Sequence, residues 1–165
     1  MPISTEIWVL IGPPCAGKST YANKLARDKN YIRINRDDFR KMIKGSYDFK
    51  DQPVERIINR MTHEIINDAE LNNRNVIIDA THCKWSYIRE LFENHKENKN
   101  FVIVFFNIPL WKLKYRNIIR FFKKGIWIPI KVIDNMYVNY LNLKGDFAKY
   151  AKDHIHQIKK KITIE

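Results

Sequence analysis

The residues that could do chemistry begin at Gly12. Gly12-Pro13-Pro14-Cys15-Ala16-Gly17-Lys18-Ser19 fits the spacing G-x-x-x-x-G-K-[ST], with Thr20 next in line. In that spacing the glycines let the backbone approach a phosphate chain, and the N–H groups of the loop and of the helix it opens wrap the phosphate oxygens. Lys18 is then placed to set its ammonium on the β and γ phosphates of ATP, and the Ser19 hydroxyl to ligate a bridging Mg²⁺. An ordinary glycine turn is the plain alternative. It does not account for the apolar strand before the loop and the helical pattern after it.

Asp37 and Asp38 form an acidic pair with Arg40 one helical turn beyond Asp37, so a carboxylate and a guanidinium can face one pocket. The carboxylate can accept a proton from an acceptor hydroxyl, and the planar guanidinium can clamp a phosphate. Acidic residues also meet a helix dipole without any catalysis, so the pair gains meaning only beside the loop. Asp79 ends an apolar run, where an acidic side chain can help hold Mg²⁺, although a strand-end Asp is also a common turn former. His82 follows and is read as a loop or surface residue. His63 is read as solvent-facing, and His154 and His156 lack a third ligand for a metal site. Trp111 to Lys131 holds seven basic residues and no acidic one, interleaved with aromatics. Arg116 and Arg120 share a face there, and either can close on phosphates as an arginine finger in cis.

The elements that must position these groups follow from periodicity. Ile7 to Ile11 and Val76 to Ile78 are short, wholly apolar runs, as expected of strands buried on both faces of a parallel sheet. Tyr31 to Asn35 and Phe101 to Phe106 add two more strands, and the tail 161–165 alternates enough for a last one. Between them the spacing predicts helices from Ser19, from near Asp37, from Val54 to about Asn72, from Trp85 to about His95, from Pro109 to Lys124, and from Pro129 to about Leu143. In the Pro109 helix, Trp111, Tyr115, Ile118, Ile119 and Phe122 are read as the core stripe. This series predicts an α/β fold of the P-loop kinase type, a parallel sheet of four to five strands with helices on both faces and a helical lid at about 109–130, in one domain over 1–165. Gly12, Asp37 and Asp79 then share the carboxyl edge of the sheet.

The chain has 165 residues, 45% of them apolar, and a net charge of +12, which favours polyanionic partners such as nucleic acid. Its two cysteines exclude a disulfide framework and suit a reducing cytoplasm. No signal-peptide pattern or apolar run of roughly 18 residues is present, so the expectation is an intracellular protein with no membrane partner.

Taken in order, the loop, Asn35-Arg36-Asp37-Asp38-Phe39-Arg40, Val76-Ile77-Ile78-Asp79-Ala80-Thr81, Arg116-Asn117 with Arg120, and Pro129-Ile130 with Met136-Tyr137 resemble the kinase domain of the bacteriophage polynucleotide 5′-kinase family. The resemblance implies transfer of the ATP γ-phosphoryl to the 5′-hydroxyl of DNA or RNA in end repair. It also implies the roles. Asp37 would be the general base and Arg40 the clamp on the phosphate 3′ of the terminal nucleoside. Lys18 and Arg120 would stabilise the migrating phosphoryl, with Arg116 on the nucleotide. Ser19 and Asp79 would hold Mg²⁺, and Thr81 and Ile128 would line the acceptor site. This chain has Ala80 where family members can carry the acidic residue of the third motif, and the stretch between Arg120 and Pro129 is longer. It contains no Asp-x-Asp-Gly-Thr phosphatase motif. Outside the resemblance, a kinase of a small metabolite or antibiotic and a nucleotide-gated nucleic-acid binder without turnover are the alternatives.

Overall fold

The computed structural model describes residues 5–46 and 50–165. Five strands form one sheet in the order β2-β3-β1-β4-β5, every neighbouring pair parallel: β1 (Ile7–Ile11), β2 (Ile32–Asn35), β3 (Val76–Asp79), β4 (Phe101–Phe106) and β5 (Ile158–Ile164). The helices are α1 (Lys18–Lys29), α2 (Arg36–Lys44), α3 (Gln52–Leu71), α4 (Trp85–Asn94), α5 (Leu110–Lys124) and α6 (Ile130–Tyr150), with a 3-10 turn at Lys152–Gln157. Each parallel pair needs a crossover, and the helices supply it. The α/β architecture read from the sequence is therefore the one observed, with five strands.

Because successive strand residues point to opposite faces, the wholly apolar runs feed two cores. Ile7, Val9, Ile11, Val76, Ile78, Phe101, Ile103 and Phe105 pack on one side with Ile66 of α3 and Phe92 of α4. Leu10, Ile77, Val102, Val104 and Phe106 pack on the other with Ala22 and Leu25 of α1 and Leu113 of α5. β3 and β4 are buried at every position, which is what a central parallel strand covered on both faces requires.

Three readings need correction. The helix after Pro129 does not stop near Leu143 but continues to Tyr150, because Tyr140, Leu143 and Phe147 keep one face buried against the core. His63 is not a solvent residue: its ring stacks on the buried His95 at 5.4 Å and the two share a 3.1 Å contact. The supposed core stripe of the Pro109 helix is largely exposed. Leu113 and Asn117 face the interior instead, while Trp111, Tyr115, Ile118 and Phe122 face solvent and Ile119 is half-buried. Among the described residues, no helix is long and apolar enough to cross a membrane.

Candidate functional site

The loop between β1 and α1 is shaped by two glycines. A Cβ on Gly12 would sit 2.9 Å from the Phe106 Cβ on β4, and Gly17 takes φ +97° just before the helix. No side chain larger than hydrogen suits either place. Gly17 offers no side-chain cap to α1, so the first N–H groups of that helix are left to a ligand. Cys15 also adopts a positive φ of 63°, and its carbonyl with that of Ala16 accepts from Arg116 Nη1 at 3.3 and 3.1 Å. α5 is thus tied to the loop through Arg116, while Arg120 lies one turn further along, half-buried.

Lys18 is buried and folds back on its own loop, donating to the carbonyls of Gly12 and Pro13 at 2.8 and 2.7 Å. Burial pulls its ammonium below the usual lysine range. The charges of Cys83, Asp79 and Asp37 act in the opposite direction.

The β2–β3 register pairs Asn35 with Asp79, and this pairing builds the acidic end of the site. Asp79 is buried, and its Oδ2 accepts from Asn35 Nδ2 at 2.8 Å and from Arg33 Nε and Nη2 at 3.1 and 2.6 Å. Its Oδ1 accepts from the Ser19 hydroxyl at 3.2 Å. A hydroxyl and a carboxylate oxygen therefore meet at the mouth of the loop, a hard-oxygen set suited to Mg²⁺ that keeps waters and phosphate oxygens as its other ligands. Among the described residues, no group of three or more His, Cys, Asp or Glu could hold a metal alone.

α2 begins where β2 ends. The Asn35 side chain caps it by accepting from the Asp38 amide at 3.0 Å, and Asp37 and Asp38 lie in its positive first turn. Arg40 bonds Asp37 through Nη1, and it grips both carboxylate oxygens of Glu55 on α3 through Nε and Nη2. Arg36 adds a bond to Glu55 at 2.9 Å. The Arg40 guanidinium beside Glu55 holds that carboxyl below its ordinary range.

Arg33, Asn35, Arg36 and Glu55 received no role in the sequence reading. Arg33 and Asn35 carried a faint signal, since two polar side chains at alternate positions of a strand point to one face. Glu55 carried none, being 15 positions from its partner. His82 is not a surface residue: it is buried, its Nδ1 lies 3.3 Å from the Leu10 carbonyl, and burial lowers its pKa to about 4. Thr81 sits half-buried just after β3. Ile128 is half-buried against the second core, and its backbone is held by the buried Asn117, which donates to its carbonyl at 2.8 Å and accepts from its amide at 3.1 Å.

A five-stranded parallel sheet with a lysine-bearing phosphate loop after its central strand is the P-loop kinase fold. Residues 7–140 match the AAA domain family AAA_33, and the chain belongs to it. It is similar to a chain in the structure of the Pnkp1/Rnl/Hen1 RNA repair complex, with a TM-score of 0.78 and 27% identity over 87% of this chain and 46% of that one. The present chain thus spans less than half of that relative's length. A gluconokinase from Sinorhizobium meliloti 1021 shares the fold with a TM-score of 0.59 at 17% identity, covering 99% of this chain and 83% of that one. A shikimate kinase from Acinetobacter baumannii does so with a TM-score of 0.56 at 15% identity, covering 99% and 86%. No curated protein matches the sequence.

Proposed function

We propose that this protein is an ATP-dependent polynucleotide 5′-hydroxyl kinase, acting as a single P-loop kinase domain with its lid at about 109–130. The observation that carries the reading is the Asp37–Arg40 pair. Arg40 is held bidentate by Glu55 on α3, and the charge of Asp37 acts on the Lys18 ammonium of the phosphate loop. In this reading Asp37 is the base and Arg40 the phosphate clamp of the acceptor site, beside the phosphate loop that carries Lys18. Asp37 would accept the proton of the 5′-hydroxyl as its oxygen attacks, while Arg40 would hold the phosphate on the 3′ side of that nucleoside.

The loop residues Gly12, Pro13, Pro14, Cys15, Ala16, Gly17, Lys18, Ser19 and Thr20 would enclose the ATP phosphates, with Arg116 against them. Ser19 and Asp79 would hold Mg²⁺, which neutralises charge on the phosphates when bound. Lys18 and Arg120 would meet the charge that spreads over the transferred group in the transition state. Thr81 and Ile128 would line the acceptor pocket. Likeness to a chain of an RNA repair complex supports a nucleic-acid acceptor, and so does the net charge of +12.

The test is transfer of labelled γ-phosphate from ATP to a 5′-hydroxyl oligonucleotide, run beside nucleosides, gluconate and shikimate. Labelled DNA or RNA ends are expected. Labelling confined to a small acceptor would replace this reading with that of a metabolite kinase, and tight oligonucleotide binding with no labelling of any acceptor would leave a binder without turnover.

A further inference from the structure

The most apolar stripe of α5 faces water. Trp111, Tyr115, Ile118 and Phe122 are 69%, 58%, 45% and 80% exposed and recur at i, i+4, i+7 and i+11, opposite the inward-facing Leu113 and Asn117. Phe121 extends the stripe, packing edge-on against Phe122 at 5.7 Å and against Trp127 at 6.0 Å. Single exposed apolar residues need no explanation, but a contiguous aromatic strip does.

Two observations say what covers it. The first is charge: Trp111 to Lys131 holds seven basic residues and no acidic one, with Lys123 and Lys124 exposed at the end of the helix and Lys112 half-buried beside the strip. Such a surface attracts a polyanion and offers it flat rings. The second is continuity. Asn117 pins Ile128, a residue proposed for the acceptor pocket, to α5, and Trp127, the residue before it, packs on Phe121 of the strip.

We infer that this strip is a stacking platform for single-stranded nucleic acid, DNA or RNA, which receives the acceptor strand as it leaves the 5′ end. The inference rests on the proposed polynucleotide acceptor. From Trp111 to Phe122 the helix rises about 16 Å, room for roughly four or five nucleotides at stacked spacing. The rings supply stacking that every base can use, and the lysines follow the phosphates.

The experiment uses the full chain and the variants Trp111→Ala and Phe122→Ala, whose side chains are exposed and whose folding is checked by thermal melting. Binding of 5′-phosphorylated dT16 and rU16 is followed by fluorescence anisotropy, and phosphoryl transfer is measured to 5′-hydroxyl 16-mers and dinucleotides. Each substitution is expected to weaken 16-mer binding roughly five- to fiftyfold. The KM for 16-mer acceptors should rise by a similar factor, with kcat and the dinucleotide KM unchanged. Wild-type 16-mer affinity in both variants overturns the platform. So does unchanged 16-mer affinity accompanied by loss of binding to phosphatidylserine vesicles, or of a dimer in sedimentation equilibrium, since those outcomes assign the strip to a lipid surface or to a second copy. The two readings fail separately. Stripe-dependent binding with no labelling of any 5′-hydroxyl end overturns the kinase assignment and keeps the platform, whereas transfer with normal KM in both variants does the reverse.

Discussion

Replacing Glu55 by Gln tests how the site is held together. Glu55 accepts two hydrogen bonds from Arg40 and one from Arg36, and the Glu55 and Arg40 side chains are only 16% and 12% exposed. The amide keeps the shape and one acceptor oxygen but loses the charge, so one arm of the bidentate grip fails. Charge-assisted hydrogen bonds contribute about 1.5–3 kcal/mol each, and partial exposure places the expected loss near the lower end, about 2 kcal/mol. For a domain of this size that lowers Tm by roughly 4–8 °C. Arg40 would then be held by a single neutral arm and the exposed Asp37, and the KM for a 5′-hydroxyl oligonucleotide should rise about tenfold while the KM for ATP stays near wild type. The sign of the pH dependence follows from Glu55, whose carboxyl is lowered in the folded state. Its contribution is present above the unfolded value of 4.5 and is lost as pH falls through the folded value, so the Tm gap between the two proteins should close in acid. Thermal melts from pH 7 to pH 3 and steady-state kinetics at pH 7 measure both parts. A drop in Tm with an unchanged acceptor KM would reduce Glu55 to a clamp between α2 and α3, and no change in either would refute the reasoning.

Asp37→Asn should cut kcat for oligonucleotide phosphorylation by roughly 10² to 10⁴ with ATP affinity little altered; if ATP binding fell instead while turnover persisted, Asp37 would be a structural residue of the α2 first turn. Arg120→Ala should reduce turnover at saturating substrates, whereas Lys112→Ala should at most weaken oligonucleotide binding, and kcat with both KM values for the two variants separates these effects. His82 titrates near 4 in the folded state because it is buried, below its unfolded value of 6.5. Stability should therefore fall by on the order of 3 kcal/mol as pH drops from about 6.5 to 4, and denaturant melts of wild type against His82→Gln should show a flatter profile for the variant.

The local sequence determined the loop, the strand order in time and the carboxyl-edge location of Gly12, Asp37 and Asp79. Each rests on short-range rules: glycine where the backbone must approach or turn left-handed, unbroken apolar runs for strands covered on both faces, and acidic residues at a helix start. The spatial order β2-β3-β1-β4-β5 lies beyond such rules, because it depends on which crossovers pack best. The same limit hid the partners of Asp79 and Arg40. Arg33 and Asn35 reach Asp79 only once β2 and β3 align in register, and Glu55 meets Arg40 only because α2 and α3 pack together. Periodicity found the α5 stripe but not its direction. Both sides of that helix offer apolar groups, and the choice of Leu113 and Asn117 for the interior came from tertiary contacts that periodicity does not contain: Leu113 in the second core, Asn117 on the Ile128 backbone, and Arg116 on the loop carbonyls.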